Sequence, residues 1–166
     1  MTRRRVLITV SAMLTALALS GATAGAAAPP SVHGAGLVTL SDAFGEFAGD
    51  PVVFQVSARG AGAGATGHFN VVHVDDAGGL YAHATGDVTC LVVDGTVAAV
   101  TGIIRHAWFR DFPGAAVVGA AVAITMADHG SDDALGFDFE FFGSTIAPCG
   151  PIPPFLPIEQ GNFLVR

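Results

Sequence analysis

The chain predicts an all-β domain: an antiparallel meander of about eight strands, forming a small barrel or a two-sheet sandwich after a cleaved signal peptide. Three observations predict it. The stretch Gly86 to Gly102, GDVTCLVVDGTVAAVTG, reads as two strands joined at Asp94-Gly95, a pair that tolerates the positive φ of a type I′ hairpin turn. Gly136 to Phe142 alternates cleanly, with Phe137, Phe139 and Phe141 on one side and Asp138 and Glu140 on the other. No segment beyond the first thirty residues holds an amphipathic helical period.

Taken in order, the chain divides into a signal peptide (residues 1–28), a flexible lead-in (29–36) and a single β domain (37–166). Arg3, Arg4 and Arg5 form a basic head, Val6 to Leu19 an apolar run, and small residues ending in Ala24, Ala26 and Ala28 a cleavage region. That run is too short for a comfortable bilayer crossing and fits an export signal, by the general or the twin-arginine route.

Within the domain, Leu37 to Leu40 is a short strand. Ser41 to Phe44 starts a helical turn that Gly45 and Gly49 weaken, and Asp50-Pro51 is a turn signal. Val52 to Ala58 and Thr66 to Val74 are strands, separated by a small-residue loop, Gly60 to Ala65. Asp75 to Gly79 turns the chain into Leu80–Thr85, and Gly86 marks a bend before the central hairpin. Pairing Val93 with Thr96 sets Cys90 opposite Ala99 and Val88 opposite Thr101. Ile103 to Asp111 carries the single tryptophan, Trp108, before the break at Phe112-Pro113-Gly114. Ala115 to Met126 has a period of two. Pairing Met126 with Leu135 sets Ile124 opposite Phe137 and Val122 opposite Phe139, so the bulky faces coincide. Five prolines from Pro148 to Pro157 make an extended loop, and Gly161 to Val165 closes the fold.

The chain has 7 basic residues, all arginine, against 14 acidic ones. Loss of the three leading arginines leaves the domain at about −10. Such a surface repels nucleic acid, so a nucleic-acid partner is excluded, and no membrane contact is expected after signal cleavage. Cys90 and Cys149 are the only cysteines. In an exported chain they read as a disulfide, closing a loop worth roughly 4 kcal/mol in the chain-entropy model. Two buried thiols or an intermolecular bridge are the alternatives.

The succession of the Gly-rich stretch, TGHFNVV, GDVTCLVVDGTVAAVTG, ADHGSDD and a late cysteine before GNFLV resembles a family of secreted, uncharacterised β-rich proteins of actinobacteria. The resemblance covers Val52 to Val165 and implies export and a compact β domain. It supplies no activity and no catalytic residues.

The candidate chemistry is sparse. His68 and His73 fall on opposite faces of one strand, whereas His73 and His83 on neighbouring strands fit one face without an evident third metal ligand. Asp128, Ser131, Asp132 and Asp133 have the oxygen density of a calcium loop without its spacing, and also the composition of an ordinary turn. Asp87 or Asp138 beside His73 or His83 would make an acid–base pair, but no spacing forces the meeting. No nucleophile elbow or phosphate-cradling loop is present. Trp108, Phe109 and Phe112 form either a ligand platform or strand-end packing. No cofactor is expected. The sequence therefore reads as a secreted, non-enzymatic protein that binds an extracellular ligand or an envelope component. The alternative is a barrel enzyme or small-ligand carrier with an interior pocket lined by two or more of His68, His73, His83, Arg105 and Asp138.

Overall fold

A computed structural model describes residues 27–166; the signal-peptide expectation falls almost wholly outside them. Nine strands form one antiparallel sheet: β1 (Ser31–Thr39), β2 (Pro51–Arg59), β3 (Thr66–Val74), β4 (Leu80–Asp94), β5 (Val97–Phe109), β6 (Ala121–Ala127), β7 (Ala134–Phe139), β8 (Leu156–Pro157) and β9 (Gln160–Val165). Their order is β8-β7-β6-β5-β4-β3-β2-β1-β9, a meander whose last strand returns to the first. The sheet curls into a half-barrel. Its two edges are joined by the short step from β8 to β9, where Ile158 N–H donates to the Asp133 carbonyl and Glu159 N–H to that of Leu37, both at 2.9 Å.

The curl has local causes. β4 is 15 residues long and is bulged at Thr85/Gly86 and at Val88/Cys90. Bulges bend a strand and raise its twist, which lets a long strand wrap a core. Gly86 is required at the first bulge, because a Cβ there would lie 2.2 Å from the Ile103 carbonyl oxygen and 2.3 Å from the Phe69 ring. Phe69 thus covers the bare backbone and is itself 1% exposed.

Alternation fills the interior. Val52, Phe54, Val56 and Ala58 of β2 point inward, as do Val122, Ile124 and Met126 of β6. β6 and β7 pair as the bulky faces require, with Met126 opposite Leu135, Ile124 opposite Phe137 and Val122 opposite Phe139. β6 is buried on both faces because the proline-rich segment crosses its outer side. Thr101 and Thr125, 4% and 1% exposed, accept the Cys149 and Ile152 N–H groups at 3.2 Å through Oγ1. Those hydroxyls satisfy the amides of half-buried strap residues. The Cys90–Cys149 disulfide fixes the strap to β4, with the Cα atoms 5.3 Å apart.

Several expectations are corrected. Ser31 to Gly36 is not a lead-in; it pairs with both β2 and β9. The Gly60–Ala65 loop is docked, since Gly62 and Leu91 exchange backbone hydrogen bonds of 2.8 and 3.2 Å. The central hairpin turns on Gly95-Thr96, with Asp94 opposite Val97, so Cys90 faces Thr101 and not Ala99, and Val88 faces Gly102. The strand expected over Ala115–Met126 begins only at Ala121, because Gly114–Val117 forms a 3-10 turn and Gly119 takes φ 95°. The all-β antiparallel meander itself is as expected, with nine strands where about eight are read from the sequence and the short β8 among the prolines.

Candidate functional site

One end of the half-barrel is not filled. A cavity of about 310 Å³ lies there, and 9 of the chain's 12 phenylalanines line it. The 3-10 turn Asp42–Phe47 supplies Phe44 and Phe47. β2 supplies Phe54, the end of β5 Phe109, β7 Phe137 and Phe139, and the following turn Phe141 and Phe142. Opposite them β4 presents Tyr81, Ala82 and Ala84, and the two small alanine side chains leave the space open. The rings brace each other: Phe109 stacks on Phe112 at 4.1 Å, Phe44 on Phe137 at 5.5 Å and Phe139 on Phe141 at 5.1 Å between centroids. Such pairs hold the wall rigid as well as apolar. At the mouth, Phe142 is 63% exposed and Phe112 37%.

The polar side chains of the lining are His73 and Tyr81. His73 Nε2 and Asp50 Oδ2 lie 2.8 Å apart, with the two side chains 13% and 9% exposed. The Tyr81 ring sits 4.8 Å from that of His73 and 4.9 Å from that of Phe47. Arg110 lies 5.5 Å from the Tyr81 centroid on the other side. The same guanidinium pairs with Asp75 Oδ2 at 2.6 Å and donates to the Leu80 carbonyl at 2.8 Å, so it clamps the β3–β4 turn to the end of β5. The Gly79 amide, and then Arg110, hold the Asp75 carboxyl below its usual range.

Burial, reinforced by a hydrogen bond to Asp111, raises the Tyr81 phenol above its ordinary pKa of 10.0. The phenol is therefore a protonated donor at neutral pH. Because the folded value lies above the unfolded one, its stabilising contribution is complete below pH 10 and is lost as the pH rises through the folded value. Tyr81 is the only tyrosine, so an absorbance titration at the tyrosinate band reads this group alone. The expected midpoint lies above 10 in the native protein and drops toward 10 in denaturant; a native midpoint at or below 10 would contradict the site as described.

Of the polar residues singled out in the sequence, only His73 reaches the cavity. His73 stands opposite Ala82, which puts His83 on the outer face, where Nε2 meets Asn70 Oδ1 at 2.7 Å. The expectation that His73 and His83 share a face is thus wrong by one residue of register. His68 is exposed on the outer face, and Arg105 pairs with Asp87 at 2.7 Å in solvent. Asp138 accepts from the neighbouring Phe139 amide at 2.8 Å. Neither Asp87 nor Asp138 meets a histidine in a hydrogen bond; the carboxylate that does is Asp50, which the sequence marks only as a turn residue. Asp133 accepts within its own turn from the His129 amide, and Asp128 accepts from the Val165 amide of β9. Trp108 parts from its neighbours, 48% exposed on the outer face while Phe109 and Phe112 line the cavity.

Among the described residues no group of three or more histidine, cysteine, aspartate or glutamate side chains is arranged to hold a metal ion, and no helix is long and apolar enough to cross a membrane. No protein-family model, no curated protein and no solved structure matches the chain.

Proposed function

We propose that the protein is an exported carrier that binds a small, largely apolar ligand, aromatic or polyunsaturated, in the phenylalanine-walled cavity. One observation supports this most: nine phenylalanines converge on space that they do not fill. Had the rings served only as core, close packing would have closed the gap. The volume, about 310 Å³, is at the small end of the range for ligand sites, which run to about 1,000 Å³. His73 and Tyr81 give such a ligand a single polar anchor. The lining favours a carrier over an enzyme with a polar-lined pocket, since one of the five polar residues weighed for such a pocket is present. In this reading the protein retains its ligand and does not transform it. Export is inferred from the basic and apolar head of the chain together with the disulfide, and an actinobacterial source from the resemblance given above.

The test is a titration of the purified domain with the neutral fluorophore N-phenyl-1-naphthylamine. The expected result is a saturable rise in emission with one site per chain. Ala84→Phe, which places a ring into the cavity, should weaken binding at least about tenfold; overpacking at a buried site costs about 1–3 kcal/mol, so its melting curve is recorded alongside. Phe142→Ala, at the exposed mouth, should weaken binding without loss of stability. A linear, unsaturable response, or identical binding by both variants, would refute the reading.

A further inference from the structure

A second site lies away from the cavity, on the outer face of the sheet at the far end of β2, about 20 Å along the strand from Val52 at the usual rise per residue. It is a shallow depression of about 360 Å³ lined by Ser31, His33, Ser57, Arg59, Thr66 and His68. The register explains the convergence. Ser57 of β2 stands between His33 of β1 and His68 of β3, and Arg59 stands between Ser31 and Thr66 one step further along the same face. Directly opposed residues project to one side with Cβ atoms about 5 Å apart, so three hydroxyls, two imidazoles and a guanidinium share one surface.

The scarcity of cations makes this placement informative. After the leading Arg3–Arg5 group the chain has four arginines and no lysine. Arg105 and Arg110 are each taken up by a carboxylate. Among the described residues Arg59 has no ion-pair partner, and neither Arg59, His33 nor His68 makes a side-chain hydrogen bond. Arg166 also lacks an ion-pair partner, and it exchanges backbone hydrogen bonds of 2.9 Å with Ser31 at the margin of the depression. The nearest acidic neighbour in the row, Asp87 opposite His68, is already engaged by Arg105. In an acidic chain, unspent donors are therefore gathered on one patch that lacks a free carboxylate of its own row.

We propose that this depression binds a tetrahedral oxyanion, the phosphate or sulfate group of a small molecule. Arg59 supplies the fixed charge and two parallel donors; the Ser31, Ser57 and Thr66 hydroxyls and the imidazole N–H groups of His33 and His68 take the remaining oxygens. A carboxylate, with two oxygens, uses fewer of these donors. A long polyanion is held off by the charge of the rest of the molecule.

The experiment is an amide and imidazole NMR titration of the whole domain with inorganic phosphate, then sulfate, then acetate, at constant ionic strength. The proposal expects saturable shifts confined to Ser31, His33, Ser57, Arg59, Thr66 and His68 with phosphate and sulfate, and a much weaker response to acetate. Arg59→Gln should weaken phosphate binding about tenfold, the loss of one charge-assisted contact. Arg110→Gln, which removes the same charge outside the depression and frees no carboxylate of its row, should leave it unchanged. Non-saturating shifts, equal binding by Arg59→Gln, or an equal response to acetate would each overturn the assignment.

Discussion

Replacing Cys90 and Cys149 together by alanine is expected to lower the unfolding free energy by about 4 kcal/mol. The bridge spans 59 residues of sequence, and a loop of that length confers a large entropic advantage by restricting the unfolded chain. The structure adds a local reason. The strap from Gly143 to Pro154 has no strand pairing of its own. Besides the packing of Pro153 and Pro154 on Gly136, its hold on the sheet is the disulfide and the two threonine hydroxyls at 3.2 Å. Without sulfur the strap should lift from β6 and expose an outer face now wholly buried. Urea denaturation of the oxidised wild type against the double variant measures the first effect. Hydrogen exchange over Ser144 to Pro154 measures the second, since those amides should lose protection well below the conditions of global unfolding. A loss of under about 1 kcal/mol would mean that the strap is held by packing and not by the bridge.

Phe137→Ala should be comparably damaging, at about 3–5 kcal/mol. Phe137 joins the cavity wall to the core: its ring lies 4.9 Å from Phe54, 5.5 Å from Phe44, 5.7 Å from Phe139 and 5.8 Å from Phe155. Truncation removes buried apolar surface and merges the new void with one already present, so the surroundings have little to collapse onto. Phe142→Ala is the internal comparison. It removes the same atoms from a side chain that is 63% exposed, and should cost less than about 1 kcal/mol. Thermal or urea melts of both variants check the contrast. If the two substitutions cost the same, the division of this aromatic cluster into buried wall and open mouth is wrong.

The parts of the fold that the sequence makes legible are those where one face is bulky and the other is not. The β6–β7 register follows from Val122, Ile124 and Met126 meeting Phe139, Phe137 and Leu135, and no slip of one residue keeps that match. The β4–β5 hairpin lacks this constraint. Both its faces are apolar because the strap covers the outer one, so the pattern does not choose between turns on Asp94-Gly95 and Gly95-Thr96. The disulfide is legible from the cysteine count and the expectation of export, without geometry. The cavity has no signature of its own. Alternation tells that Phe137 and Phe139 point inward, but whether inward space is filled depends on Ala82 and Ala84 forty or more residues earlier. The His73–Asp50 pair is likewise a product of the β2–β3 register: Val52 stands opposite His73, and Asp50 immediately precedes β2. The outer depression is legible only through register: Arg59, His33 and His68 fall on one face once β1 extends back to Ser31 and β2 on to Arg59.

The central claim is that the aromatic end of the half-barrel receives an apolar guest. It is tested most directly by isotope-filtered NOE spectroscopy on the labelled domain with unlabelled N-phenyl-1-naphthylamine. The account predicts intermolecular contacts from the probe to the rings of Phe44, Phe109 and Phe141 and to the Ala84 methyl group, with none to Trp108 on the outer face. Contacts centred on Trp108, or no contact with any of those four cavity residues at saturating probe, would contradict it.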